Sequence, residues 1–266
     1  MTSENNKRPR TVSREEWLVA RQKLLEREKG LTRLHDQLSA ERRELPWVKV
    51  DKPYRFVGPD GACSLTELFA GRSQLLVQHF MFGPDWKEGC VGCSFTADHV
   101  DAARQHFEQN DLSFVAISRA PFPEIEAYRL RMGWHFRWVS SFENDFNYDY
   151  HVSFRPEEIA TGKVFYNWGL RDFQCEELSG ISVFARELYG DVFHTYSAYG
   201  RGDEQLIGAY NFLDLAPKGR NESGSNQDLT DWVRHHDRYA QKGSVDSTGR
   251  YHAADEIGRL SAQAIS

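Results

Sequence analysis

Apolar residues recur at every seventh position along the first part of the chain: Trp17, Leu24, Leu31, Leu38 and Leu45. Ala20 and Leu34 fall on a second row, which Arg27 and Glu41 interrupt. Ser13-Arg14-Glu15-Glu16 fits a capping box, in which a serine hydroxyl and the N3 glutamate satisfy unpaired backbone N–H groups, and Pro46 closes the run. The pattern predicts a helical extension over 13–46 behind a polar, disordered tail at 1–12. A full coiled coil needs both apolar rows. The single stripe is therefore expected to pack on the domain or on a second copy, which leaves a homodimer through this helix as one outcome.

From Trp47 the period falls to two. Val48-Lys49-Val50 and Tyr54-Arg55-Phe56 alternate as strands around the turn signal Gly58-Pro59-Asp60-Gly61, and Ser64–Phe69 reads as a short capped helix. Leu75–Phe82 and Leu112–Ser118 are continuous apolar runs of the kind buried on both faces of an α/β sheet. Residues 94–109 carry helical spacing between them, and a further helix begins at Pro123 and ends at Gly133. This order predicts a right-handed parallel βαβ unit. Residues 134–180 are aromatic and irregular, with a strand at Val164–Trp168. Residues 181–186 and 191–196 read as a hairpin around Tyr189-Gly190, followed by a helix near Asp203–Leu213. Expected limits are a domain over 47–216, a linker with a short helix (Leu229–Tyr239) over 217–240, and a mobile polar tail over 241–266.

Composition narrows the class. Of 266 residues 40% are hydrophobic and 13% aromatic, enough for a folded core. The formal net charge of -6 argues against a nucleic-acid surface. No apolar run is long enough to span a membrane and no secretory signal is visible, so a cytoplasmic location is expected. In a reducing compartment a close cysteine pair points to catalysis or metal rather than to a structural staple. Of the four cysteines, Cys63 and Cys175 stand alone and read as small buried hydrophobes.

Cys90 and Cys93 differ. They follow a buried strand and open a helix, where unpaired N–H groups and the helix dipole favour thiolate over thiol. Cys90 is the expected nucleophile, and Cys93, one turn on, the resolving thiol. Zinc is the rival reading, but a four-ligand set is not visible, since His79 lies in a strand, His99 two turns into a helix, and His235-His236 beyond the linker. No metal or other cofactor is expected.

The segments SREEW (13–17), HFMFGPDWKEGCVGCSFTADH (79–99), SRAPFPEIEAYRLRMGW (118–134), SSFENDFNYD (140–149), VFHTYSAYGRG (192–202) and DWVRHHDRY (231–239) resemble the DUF899 family of thioredoxin-like proteins over roughly residues 10–240. The resemblance implies a thioredoxin-like α/β fold, with a central mixed sheet flanked by helices, and a dithiol-disulfide oxidoreductase role. It supplies no substrate. Two features depart from better-known relatives. The cis-proline that docks substrate in thioredoxins falls near Ser179 or Gly180. In the peroxiredoxin pattern Pro-x-x-x-Thr/Ser-x-x-Cys, Pro84 is only six residues before Cys90 and Lys87 takes the hydroxyl position.

Around the pair, Trp86 is either an apolar lip for substrate or a core residue, and Asp85 either tunes a thiol or caps a turn. Lys87 and Glu88 oppose each other in their effect on a thiolate. Trp134, Trp138, Phe146 and Tyr148 either roof the dithiol or form core. Arg119 lies at a strand's carboxyl end, where α/β sheets bind ligands. His235-His236-Asp237 is expected on a solvated helix face. The expectation is a thiol-disulfide oxidoreductase acting on a protein or small-molecule disulfide with an unidentified thiol donor. The competing expectation is a non-enzymatic redox or metal sensor built on the same cysteines.

Overall fold

The computed structural model describes residues 9–187 and 190–254. Residues 1–8 and 255–266 of the two expected tails, and Tyr189 at the expected hairpin tip, lie outside the described residues. The chain divides into two compact units, Met1–Pro46 and Trp47–Ser266. In the first, helix α1 (Arg14–Arg43) starts at the expected capping box, with the Ser13 hydroxyl accepting from the Glu16 N–H and the Glu16 carboxylate accepting from the Ser13 N–H, both at 3.1 Å. Acidic residues in its first turn and Arg42 and Arg43 in its last complement the helix dipole. Among the described residues no helix is long and apolar enough to cross a membrane.

The second unit begins with β1 (Val48–Lys49), the hairpin β2 (Arg55–Gly58) and β3 (Gly61–Ser64), and the short α2 (Leu65–Leu68). Strand β4 (Gln74–His79), helices α3 (Val91–Ala97) and α4 (Val100–Phe107), strand β5 (Leu112–Ser118), helix α5 (Phe122–Arg131) and strand β6 (Arg137–Ser140) follow. After them come α6 (Phe146–Asp149), α7 (Pro156–Ala160), the small hairpin β7 (Val164–Tyr166) and β8 (Gly169–Arg171), then β9 (Gly180–Arg186), β10 (Val192–Tyr199), α8 (Gly208–Leu215) and a last hairpin, β11 (Gly243–Val245) and β12 (Tyr251–Ala253).

Eight strands form one mixed sheet in the order β1-β10-β9-β4-β5-β6-β2-β3. Strands β4, β5 and β6 run parallel, in register from Gln74↔Leu112 to His79↔Ile117 across the first pair. Strand β9 lies antiparallel on the other side of β4, and β10 antiparallel beyond it. A βαβ unit flanked by an antiparallel hairpin, with helices packed on the sheet, is the thioredoxin-like arrangement.

Strand periodicity explains the apolar runs. Phe80, Phe114, Ala116 and Trp138 join the core on the face that carries Cys90, Cys93, Ile125 and Tyr128. Leu75, Val77, Val115, Ile117 and Val139 join the opposite core with Phe56, Phe146 and Phe184. Both faces are covered, so neither strand has a polar side.

Three expected elements turn out differently. The helix over 94–109 is broken into α3 and α4 at His99, whose Nδ1–H donates to the Phe95 carbonyl (2.7 Å) while Nε2 accepts from the Ala209 N–H (3.0 Å). That side chain ties the break to α8. The helix near Asp203–Leu213 is a 3-10 stretch, Gly200–Leu206, followed by α8, with Ile207 buried at the junction. In the expected Leu229–Tyr239 helix only the 3-10 turn Leu229–Asp231 forms. Beyond it Val233 and His235 are both fully buried two residues apart, a spacing one helix face cannot supply.

The compact unit runs past the expected boundary at 216, and within the tail expected from 241 residues 243–253 form strands, its last residues, 255–266, lying outside the described ones. Val233 packs with Phe95, Ile207 and Tyr210, and residues 243–253 form a hairpin within the same compact unit as the sheet. Their polar composition hides an Asp246–Gly249 turn, in which one Asp246 oxygen accepts from the Thr248 N–H, the Thr248 hydroxyl and the Arg250 N–H at 2.8, 2.7 and 3.1 Å.

Candidate dithiol site

Strand β4 carries the chain to the site. Past its end, the Phe80 N–H donates to Ile117 O (2.9 Å) and the Ala120 N–H to Phe82 O (2.8 Å), so the loop leaves from the carboxyl edge of the parallel strands. Cys90 is the residue that precedes α3, and Cys93 sits in its first turn. The Cys90 N–H donates to Met81 O (3.0 Å), the Met81 N–H to the Cys93 sulfur (3.4 Å) and Gln78 Nε2 to Cys93 O (3.0 Å). Both cysteines are free thiols and buried.

Their acidities are driven apart. The hydrogen bond from the Cys93 thiol lowers the Cys90 pKa against the opposing effect of burial, and the backbone N–H groups of Cys93 and Gly92 add to the lowering. The same hydrogen bond, together with burial and the Cys90 charge, pushes Cys93 well above an ordinary thiol. Cys90 is thus the more acidic of the two thiols and Cys93 the less acidic, an order that favours thiolate at the first sulfur over the second.

A partly buried ionic cluster supports the loop in front of Cys90. Glu88 is approached by Arg131 (2.5 Å), Arg238 (2.7 Å) and His235 Nδ1 (3.1 Å). Burial opposes its ionisation, but the hydrogen bonds to His235 and Arg238 and the charge of Arg131 bring its pKa down to about 2. His235 Nε2 lies 2.8 Å from Gly89 O, one residue before Cys90.

The last hairpin covers the pair. Gly249, at φ +82°, lies so close that a Cβ there would stand 2.6 Å from the Cys90 sulfur. Its carbonyl accepts from the Val91 N–H at 2.9 Å. Arg250 stacks its guanidinium 4.0 Å from the Trp86 ring centre. Beside the sulfurs opens a cavity of about 350 Å³ whose lining includes Cys90, Cys93, Cys175, Ser179, Asp203 and Leu229.

Residues 6–239 match the family described as bacterial protein of unknown function (DUF899). The chain belongs to the DUF899 family. No curated protein matches this chain. Solved structures similar to it include the peroxidoxin BcpB of Mycobacterium tuberculosis, at 11% identity and a TM-score of 0.41, covering 64% of this chain and 97% of that one. Peroxiredoxin Q of Xanthomonas campestris is 14% identical with a TM-score of 0.41, covering 63% and 92%. The mitochondrial 2-cys peroxiredoxin of Plasmodium falciparum is 13% identical with a TM-score of 0.37, covering 64% and 94%.

The residues singled out in this DUF899 sequence fall in different places. Ser179 lines the dithiol cavity, and its carbonyl accepts from the Tyr166 hydroxyl at 2.7 Å. Gly180 pairs with His79 at the start of β9, and a Cβ there would meet the Tyr199 ring at 2.6 Å. No cis peptide occurs among the described residues. Trp86 does not border the cavity. It is buried in the core under Arg250. Arg119 is also away from it, with its Nε against buried Glu177 and its guanidinium over the Tyr148 ring. Trp134, Trp138 and Phe146 are core rather than roof. Asp85 is found with Trp86 at a separate surface depression.

His235 departs from its expected solvated position and is wholly buried, whereas His236 pairs with Asp98 at 2.7 Å. Among the described residues no group of three or more His, Cys, Asp or Glu side chains is placed to hold a metal ion. Cys63 is a core residue of β3, as expected, but Cys175 is half-buried on the dithiol cavity.

Four participants escaped sequence reasoning: Gly249, His235, Asp203 and Cys175. Only the first had a usable signal, the Asp-x-x-Gly turn between two short strand-like runs. The others are brought in by long-range packing.

Proposed function

We propose that this protein is a dithiol-disulfide oxidoreductase in which Cys90 attacks and Cys93 resolves. The observation that carries the reading is the placement of Cys90 just before α3 and Cys93 in its first turn, both lining an open cavity, with the thiol of one lowering the pKa of the other. In the forward direction the Cys90 thiolate attacks a substrate disulfide and expels one thiolate. Cys93 then loses its proton and attacks the Cys90 sulfur, releasing the second thiol and leaving a Cys90–Cys93 disulfide. A thiol donor returns the pair to the dithiol, a cycle suited to a reducing compartment such as the cytoplasm.

The test is substrate reduction by three forms of the full chain. Wild type is expected to turn over, Cys90→Ser to be inactive, and Cys93→Ser to accumulate a mixed disulfide on Cys90 visible by mass spectrometry. Equal activity of wild type and Cys90→Ser would end this reading in favour of a sensor.

A further inference from the structure

Cys90 is only 6% exposed, and the side of the Cys-x-x-Cys turn that faces the last hairpin is occupied by this chain itself. A disulfide in a folded protein brings its flanking chain with it, and extended chain segments commonly dock by pairing backbone groups. Here the Val91 N–H is already taken by Gly249 O, and the glycine leaves no gap over the sulfur. The turn is fixed by Asp246 and by the Arg250–Trp86 stack. The cavity is the remaining approach, and about 350 Å³ lies at the lower end of small-molecule sites.

Its charge is also informative. The ionisable side chains on its wall are Arg201, Asp203, Glu204, Glu222 and Asp228, besides the three thiols and Tyr210. Glu204 is held by Arg201 (2.6 Å) and Arg220 (2.9 Å), Glu222 accepts from Tyr210 (2.5 Å), and Asp228 caps the turn at Thr230. Asp203 is the exception. It is 9% exposed, accepts from its own backbone N–H, and faces no cation among the described residues. Its charge reaches Cys93, where it adds to the rise in that thiol's pKa. Burial pushes the Asp203 carboxyl up to about 7. A buried carboxylate without a counter-ion is costly, and a ligand cation placed beside it removes that cost.

We propose that the cavity takes a low-molecular-weight disulfide bearing an ammonium group, with the ammonium on Asp203 and the disulfide at Cys90. This rests on the dithiol reading above and names its substrate class. The Cys90 thiolate bonds to the nearer substrate sulfur as the S–S bond breaks, and the departing thiolate takes up a proton. The Cys93 thiol gives its proton to solvent and bonds to the Cys90 sulfur, expelling the second substrate thiolate, which is protonated in turn. Two electrons pass from the dithiol to the substrate, and one disulfide becomes two thiols.

The test uses the fully reduced full-length protein in single turnover, so that no donor is needed. Cystamine (two ammonium groups), bis(2-hydroxyethyl) disulfide (neutral), dithiodiglycolate (two carboxylates) and insulin are compared, each rate divided by that of free dithiothreitol with the same disulfide. Cystamine is expected to lead the dianion by at least about tenfold, a typical gain from one charge-assisted contact, and insulin to be slowest. Asp203→Asn is expected to abolish the preference for cystamine over the dianion, a ratio taken within one protein so that any change in Cys93 acidity affects both rates alike. Insulin or the dianion equalling cystamine, or an unchanged preference in Asp203→Asn, overturns the proposal.

A second measurement needs no turnover. 1,6-Diaminohexane, the carbon analogue of cystamine, is expected to protect Cys90 from iodoacetamide, and adipate not to. Absence of any difference between them also overturns the proposal. If the diamine protects but no disulfide oxidises the wild type, the cation site stands and the dithiol reading falls.

Discussion

Gly249 lies so close to Cys90 that a Cβ on the glycine would stand 2.6 Å from the Cys90 sulfur. The approach joins two segments 159 residues apart, counted from those two positions, and makes the last hairpin part of the surroundings of Cys90. It also explains why a residue at φ +82° should be glycine, since an L side chain there is strained as well as obstructed.

Replacing Gly249 is therefore expected to lift the turn rather than to be absorbed. Gly249→Ala should cost about 1–3 kcal/mol from overpacking and positive-φ strain. It should also speed labelling of Cys90 by a bulky maleimide roughly tenfold, the rate equivalent of about 1.4 kcal/mol. Thermal melts and labelling followed by mass spectrometry measure the two effects. Unchanged labelling would mean that Gly249 does not shield the sulfur.

The lowered pKa of Cys90 depends first on the Cys93 thiol, with burial working the other way. In Cys93→Ala that donor is lost and burial is left to dominate, so the pH midpoint of Cys90 alkylation should rise. Cys93→Ser keeps a donor and should stay nearer wild type. Iodoacetamide rates between about pH 5 and 10, a span that brackets ordinary thiol ionisation, measure this. Identical midpoints in all three proteins would remove the hydrogen bond as the cause.

Glu88 should make the fold sensitive to acid. Its folded pKa of about 2 lies below the ordinary 4.5, so it contributes stability that is present above 4.5 and is lost as pH falls toward 2. Glu88→Gln leaves Arg131, Arg238 and His235 without their shared anion, and should cost about 1–3 kcal/mol at pH 7. The difference from wild type should shrink through that acid window, as read by denaturant melts at stepped pH. A constant difference down to pH 2 would show that the loss is one of packing.

Much of this architecture is legible in local pattern. The capping box at Ser13–Glu16, the two runs that became β4 and β5, and the cysteine pair between a buried strand and a helix are all short-range signals. Periodicity and turn chemistry report on a residue and its neighbours within a turn or a strand, which is why these expectations match the observed elements. The boundaries at His99 and Ile207 were not legible, because each break is stabilised by a partner about a hundred residues away or by burial at a junction. Arg119 was singled out by its place at a strand's carboxyl end and Trp86 was left open between lip and core, and side-chain direction sends one to Glu177 and the other into the core.

The sequence by itself determined that a dithiol opens a helix at the end of a buried strand in a βαβ unit, because strand, turn and helix-start signals are local. Only the tertiary structure decided what surrounds that dithiol. Asp203, Cys175 and Gly249 come from three distant segments, two of them polar stretches without strong periodicity. Their convergence depends on which faces are buried against which, and that is a property of the packed chain rather than of any window within it.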